Sequence, residues 1–254
     1  MIEPWVLAET EGFLVVYKPP MMHSAPLKGG GGDTLLDWCA NIYPEVRSPR
    51  SRLEWEGGLV HRLDYGTRGL VLIARTQEAL EALEEQQEQG TLVKEYGALT
   101  SPIAQPPLPA FPPTGFPEIS TRTVPFTIES GFRPYGPGRR AVRPVLSNNF
   151  SPPKRRDFIL DRGSFYKTEV LELNSTEKAI CLRVRIARGF RHQIRCHLAW
   201  LGYPILNDTL YGGSQETDST DRPVALKAQG LSFRDPLSGE DRNYQLLPIN
   251  TEEF

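Results

Sequence analysis

An aspartate presented at the end of a loop, just ahead of a strand, is well placed to do chemistry, and Asp64 occupies such a position. It lies in GGLVHRLDYGTRGLVLIAR at 57–75, where a His-Arg-Leu-Asp string passes through a Tyr-Gly turn into an apolar run that reads as a buried strand. A carboxylate held beside a rigid element can act as a nucleophile or as a base. Taken alone the string says little, because an aspartate before a turn more often caps that turn. It gains weight from three further segments in chain order: KEYGALT at 94–100, ARGFRHQIRCHLAWLGYPILNDTLYGG at 187–213, and ALKAQGLSFRDPLSGEDRNYQLLP at 225–248. Metal chemistry has little to build on. Cys39, Cys181 and Cys196 lack CxxC spacing and are odd in number, which also argues against a disulfide framework, and the 4 histidines match no zinc pattern.

The elements that must position these residues can be read from periodicity and punctuation. EGFLVVYKPP at 11–20 is a strand ended by two prolines. After the glycine run at 29–32, Asp33 or Thr34 can cap a helix carrying Leu35, Leu36, Trp38 and Ile42. The glycines read as a plain connector, since no Lys-Ser or Lys-Thr pair follows to make a phosphate-binding loop. GLVLIAR at 69–75 is a buried strand, and the next helix is capped by Thr76, striped by Ala79, Leu80 and Leu83, and closed by Gly90. LVKEYGALT at 92–100 is a strand, and the proline-rich SPIAQPPLPAFPPTGFPE after it cannot join a sheet interior. FYKTEVLEL at 165–173 and ICLRVRI at 180–186 make a hairpin whose second strand has one core face and one basic face. RHQIRCHLAWLG at 191–202 is a helix with Ile194, Leu198 and Leu201 on one stripe and Gly202 at its end. Hairpins and excursions without regular strand–helix alternation predict an α+β fold with a mainly antiparallel mixed sheet, flanked by helices and loops.

The 254 residues, 39% hydrophobic and 24% charged, have the composition of one soluble domain, here 1–254 with a proline-rich and basic insertion at about 101–163. No stretch is long and apolar enough to cross a bilayer as a helix, and the first residues carry acids where a signal peptide would be basic, which predicts a cytoplasmic protein. A net charge of -2 gives no overall pull on a polyanion, so any basic surface must be local. Arg133, Arg139, Arg140, Arg143, Lys154, Arg155, Arg156 and Arg162 crowd 133–162 against only Asp157 and Asp161, a local field that would draw a polyanion.

The four ordered segments resemble the RNA pseudouridine synthases of the RluA type, from FLVVYKPP near residue 13 to the LP near 248, with an interruption across 101–163. That family opens with a strand and Lys-Pro, carries its catalytic aspartate in an HRLD string, has a Lys-x-Tyr strand, and uses a G-R-x-H-Q-I-R-x-H-L helix followed by G-x-P-I-x-G-D-x-x-Y-G. Arg68, Phe190, Asn207 and Lys227 depart from the pattern, and such changes bear on the substrate more than on the reaction. The resemblance implies a pseudouridine synthase fold and isomerisation of uridine to pseudouridine in structured rRNA or tRNA, without a metal or cofactor. Asp64 would be the catalytic carboxylate, attacking the sugar C1′, attacking the base, or abstracting a sugar proton. Tyr96 would stack on the flipped uracil, and Arg195 would pair with Asp64. Arg62 would fill the gap left in the base stack, its bland alternative being an ion pair with a nearby acid. His61 is placed beside Arg62 among the RNA contacts, although His61, His192 and His197 also read as structural hydrogen-bonding groups. Arg183, Arg185, Arg188, Arg191, Arg139 and Arg140 complete the expected RNA surface, and the basic segment at 133–162 would position RNA from outside the catalytic core. With about a dozen residues before the first strand, the chain reads as the catalytic domain without the S4 module, and as a monomer. Two other classes are weighed: an inactive RNA-binding protein of the same fold, against which Asp64, Tyr96 and Arg195 speak, and a small-molecule hydrolase, which lacks a G-x-S-x-G elbow or a carboxylate pair.

Overall fold

The computed structural model describes residues 3–26, 32–51, 53–114, 119, 122–146, 165–213 and 222–250. It forms two compact units, one of Met1–Tyr96 with Leu226–Pro248 and one of Gly97–Ala225 with Ile249–Phe254. The described residues hold ten strands and three α-helices, in the predicted α+β class. One strand pairing, β3 with β9, is parallel; the other registers given below are antiparallel.

In the first unit, β1 (Trp5–Glu9), β2 (Phe13–Lys18) and β3 (Arg68–Ala74) form an antiparallel run. β3 meets β9 (Leu226–Arg234) in parallel at Arg68↔Lys227 and Gly69↔Ala228, and β10 (Asp241–Gln245) pairs back onto β9. Every residue of β2 and β3 is buried, which explains why both read as unbroken apolar runs. α1 (Leu35–Ile42) starts at Thr34 through a reciprocal capping box with Asp37. Its buried stripe is Leu35, Leu36 and Cys39, while Ile42 of the expected stripe is exposed, because the helix ends there and the chain turns. α2 (Gln77–Gln89) is capped by Thr76, closed by left-handed Gly90, and packs Ala79, Leu80 and Leu83 onto a core with Leu72, Leu231 and Phe233. β4 (Val93–Thr100) begins in this unit and continues into the second.

In the second unit the order is β8 (Ile180–Ile186), β7 (Tyr166–Ser175), β5 (Phe126–Tyr135) and β6 (Ala141–Val145). The expected hairpin of β7 and β8 is present. Residues 101–114 are irregular, as the prolines require, but residues 126–145 of the insertion form a hairpin built into the sheet, with Phe132 and Val142 buried. Pro144 is tolerated there because β6 is a terminal strand and needs no further N–H donor on its outer side. α3 (Gln193–Trp200) is buried along its whole length rather than on one stripe, and it packs on β6 and β7.

Candidate active site

The loop that carries Asp64 is tied down on both sides of that residue. Ser24 Oγ donates to Leu63 O at 3.0 Å and accepts from Leu63 N at 3.0 Å, so both backbone groups ahead of Asp64 are engaged. Behind it, Thr67 N donates to Asp64 O at 3.0 Å, and Lys18 Nζ reaches Tyr65 O at 3.4 Å. Lys18 also donates to Pro19 O at 2.9 Å and Met22 O at 2.7 Å, which laces the loop at 19–26 to the aspartate turn. The first loop is itself seated on α1, whose Leu35 and Leu36 N–H groups donate to His23 O and Ser24 O. Where β3 begins, only glycine fits. Gly69 has φ +123°, and a Cβ there would come within 2.1 Å of Ala228 O on the parallel strand.

Lys18 is fully buried at the end of an apolar strand. Burial pushes its pKa down to about 7, and the negative charge of Asp64 works against that fall. Tyr96 is 6% exposed, and its hydroxyl is held protonated far above its usual range by burial first and by Asp64 second. Asp64, Lys18 and Tyr96 therefore share one electrostatic neighbourhood. Lys18 and Ser24 were missed as functional residues by the sequence reading, although a lysine closing the run FLVVY was a visible signal.

His61 is a structural group in this unit. Its Nε2 accepts from Leu72 N at 3.3 Å, so the proton sits on Nδ1, which is enclosed without a hydrogen-bond partner. Burial and the Lys94 ammonium hold its pKa well below 6.5. Lys94 is itself buried, donates to Gln87 Oε1 at 2.7 Å, and is pushed down to about 8 by desolvation. Arg62 is exposed and ion-paired with Glu56 at 2.6 Å, the bland alternative foreseen for it.

In the second unit Arg195 is buried instead of lying on a helix surface. Its Nε and Nη2 donate to the two carboxylate oxygens of Asp208 at 2.7 and 2.8 Å, a bidentate pair in which the Asp208 side chain is 1% exposed. The guanidinium also lies over the Tyr211 ring, 5.4 Å from its centroid. Tyr211 Oη accepts from Val142 N at 2.8 Å, and its proton is left for His192 Nδ1 at 3.2 Å. The turn that brings Asp208 and Tyr211 together is closed by Tyr211 N and Gly213 N, both donating to Asp208 O. His197 is held neutral, with its pKa pushed down to about 3 by burial, between Thr168 Oγ1 at 2.8 Å and Ser130 Oγ at 2.9 Å. Asp208, Tyr211 and Val142 were not singled out from the sequence; an Asp–x–x–Tyr spacing after the helix was the signal available.

The basic face expected on β8 is largely neutralised. Arg185 donates through Nε and Nη2 to Glu169 at 3.0 and 2.7 Å, and Arg183 pairs with Glu172 at 2.5 Å, both acids belonging to the neighbouring β7. Arg191 donates to Arg139 O at 3.0 Å and Ala141 O at 3.2 Å, and Arg188 lies over Tyr166 at 5.8 Å. Arg139 and Arg140 are exposed at the β5–β6 connection. Arg133 and Arg143 face each other across that hairpin, so this half of the expected basic segment belongs to the sheet and does not lie outside the core. Lys154, Arg155, Arg156 and Arg162 lie outside the described residues. Among the described residues no group of His, Cys, Asp and Glu is arranged to hold a metal, and no helix is long and apolar enough to cross a membrane.

Residues 12–200 match the sequence profile of a family described as RNA pseudouridylate synthase, and the chain belongs to that family. Among curated relatives, an uncharacterized RNA pseudouridine synthase of Chloroflexus aurantiacus is 32% identical over 222 residues, 87% of this chain and 58% of that protein. An uncharacterized RNA pseudouridine synthase of Mycoplasma pneumoniae is 28% identical over 94% of this chain and 65% of its own length. The ribosomal large subunit pseudouridine synthase D of Pseudomonas aeruginosa is 27% identical over 84% of this chain and 54% of its own. The chain thus spans between 54% and 65% of the length of these relatives. The solved human RNA pseudouridylate synthase domain containing 1 shares the fold, with a TM-score of 0.63 at 19% identity over 96% of this chain and 83% of that one.

Proposed function

We propose that this protein isomerises uridine to pseudouridine in structured RNA, with Asp64 as the catalytic carboxylate. The observation that carries the reading is the fixation of Asp64: the backbone on either side is engaged by Ser24, Lys18 and Thr67, while Tyr96 lies within its field. A carboxylate held this way needs no reorganisation before it reacts. The reaction must break the N–C glycosidic bond, turn the uracil, form a C–C bond from C5 and remove the C5 proton. Attack on C1′, attack on the base and abstraction of a sugar proton all require the charged carboxylate.

Tyr96 is assigned to stacking on the extruded uracil, and its raised pKa keeps the hydroxyl neutral while it does so. Arg195 takes the part the family resemblance gives it, a cationic partner for Asp64, and its bidentate pair with Asp208 fixes the guanidinium beforehand. Arg62 enters the vacated stack once its ion pair with Glu56 opens. Exposed Arg139 and Arg140 grip phosphates, with Arg183, Arg185, Arg188 and Arg191 as a secondary basic surface. The protein works in the cytoplasm as a monomer. Large-subunit rRNA is the first RNA to examine, because curated relatives carry the name ribosomal large subunit pseudouridine synthase D; tRNA is the second. Incubating the protein with total RNA from a strain that lacks it, then mapping pseudouridine, should give one or a few new sites. No new site in any RNA rejects the reading.

A further inference from the structure

Tyr65 follows Asp64 directly and is 44% exposed, yet its ring is not loose. It lies against the His23 imidazole with ring centroids 4.7 Å apart and a tilt of 40°. Both residues sit on backbone that the fold has already fixed. Lys18 Nζ holds Tyr65 O and Met22 O, Ser24 holds both backbone groups of Leu63, and Leu35 N donates to His23 O. Met21, 42% exposed with φ 59°, lies two residues before His23 on the same loop.

We infer that the Tyr65–His23 pair is a stacking platform for an unpaired nucleobase adjacent to the uridine that Asp64 engages, an inference that rests on the uridine-isomerising reading. Asp64 and Tyr65 are consecutive in one turn, closed by Thr67 N donating to Asp64 O at 3.0 Å, so the exposed ring and the aspartate are carried by backbone atoms about 3.8 Å apart. Any base can stack on an aromatic face, and stacking on a ring whose backbone and neighbour are already ordered gives up little entropy. Arg62, three residues before Tyr65 in the same loop, is 56% exposed at its side chain and paired with Glu56, so the segment that carries the ring also carries a cation, as suits nucleic acid better than an apolar partner. The pair thereby selects for RNA whose target uridine has an unpaired neighbour.

The test uses the full chain and two single-stranded nonaribonucleotides of uridine, with 2-aminopurine on the 3′ or the 5′ side of the central uridine. Wild type should bind at least one of them with a change in 2-aminopurine fluorescence. Tyr65→Ala should lose that change and bind about tenfold more weakly, and Tyr65→Trp should keep both. Equal affinity and equal fluorescence change in Tyr65→Ala, or no binding of either probe by wild type, overturns the platform. Should Tyr65→Ala fold poorly, Tyr65→Leu, which keeps an apolar side chain without an aromatic face, must lose the fluorescence change in its place, and retention of that change overturns the platform. Pseudouridine mapping runs alongside. A wild type that gives the Tyr65-dependent signal but makes no pseudouridine supports the platform and overturns the isomerase reading, whereas full turnover with unchanged KM in Tyr65→Ala overturns the platform alone.

Discussion

Lys18 and Arg195 are both buried cations, one in each unit, and they are satisfied in opposite ways. Lys18 donates to three backbone carbonyls, those of Pro19, Met22 and Tyr65. Arg195 meets the Asp208 carboxylate with two parallel bonds. Carbonyl dipoles orient an ammonium without neutralising it; burial disfavours the charge, the Asp64 carboxylate offsets only part of that, and Lys18 holds its proton weakly, near pH 7. A carboxylate neutralises the guanidinium, and arginine keeps its charge throughout the physiological range. The difference separates two tasks. Lys18 ties two loops together around Asp64, while the Asp208 pair locks one guanidinium in one orientation.

The comparison breaks most sharply at Asp208. Asp208→Ala removes the bidentate acceptor of a buried guanidinium, and the expected loss is about 3–5 kcal/mol of stability in urea denaturation. A loss below about 1 kcal/mol would mean that the guanidinium finds water or another acid, outside the measured range for a buried pair. Lys18→Met should cost less, about 1–3 kcal/mol. It leaves three carbonyls without their donor but also removes a charge that was costly to bury. Hydrogen exchange should show faster opening at Leu63 and Thr67 in this variant, and unchanged protection there would deny Lys18 its lacing role.

The smallest effect is the pH dependence that Lys18 contributes. Lys18 and Lys94 fall from 10.5 to about 7 and about 8 on folding. At each of these two lysines the unfolded chain binds more protons between the folded value and 10.5, so their own contribution rises with pH across that window, against the opposite contribution of the Cys39 and Cys196 thiols, which burial keeps protonated. Between pH 7.5 and 9.5 the stability of wild type minus that of Lys18→Met should rise by about 1 kcal/mol per pH unit in denaturation. A difference that stays constant with pH would deny Lys18 its lowered proton affinity.

Local chemistry was legible in the sequence. Thr34, Thr76 and Gly90 terminate their helices as predicted, because caps depend on neighbours in the chain. β2, β3, β4, β7 and β8 were visible as apolar or alternating runs. β1, β5, β6, β9 and β10 were not identified: β5 and β6 carry prolines and arginines, and their strand character comes from pairing. The neutralised face of β8 was within reach, since the hairpin was recognised and its register sets Arg185 opposite Glu169. The Arg195–Asp208 pair and the reach of Lys18 to Tyr65 were not, because they depend on how a turn and two loops return in space. Asp64 was legible as a candidate, but the clamp that fixes it was not.

Asp64→Asn asks whether the carboxylate held by that clamp is the group that reacts. Pseudouridine formation should be followed at the mapped site in single turnover at saturating enzyme, with a circular dichroism spectrum and a melting curve recorded beside it. The amide preserves the shape of the side chain and removes the charge, so no product should form while the spectrum and the cooperative melt are retained. Turnover near the wild-type rate in the folded variant would contradict the account.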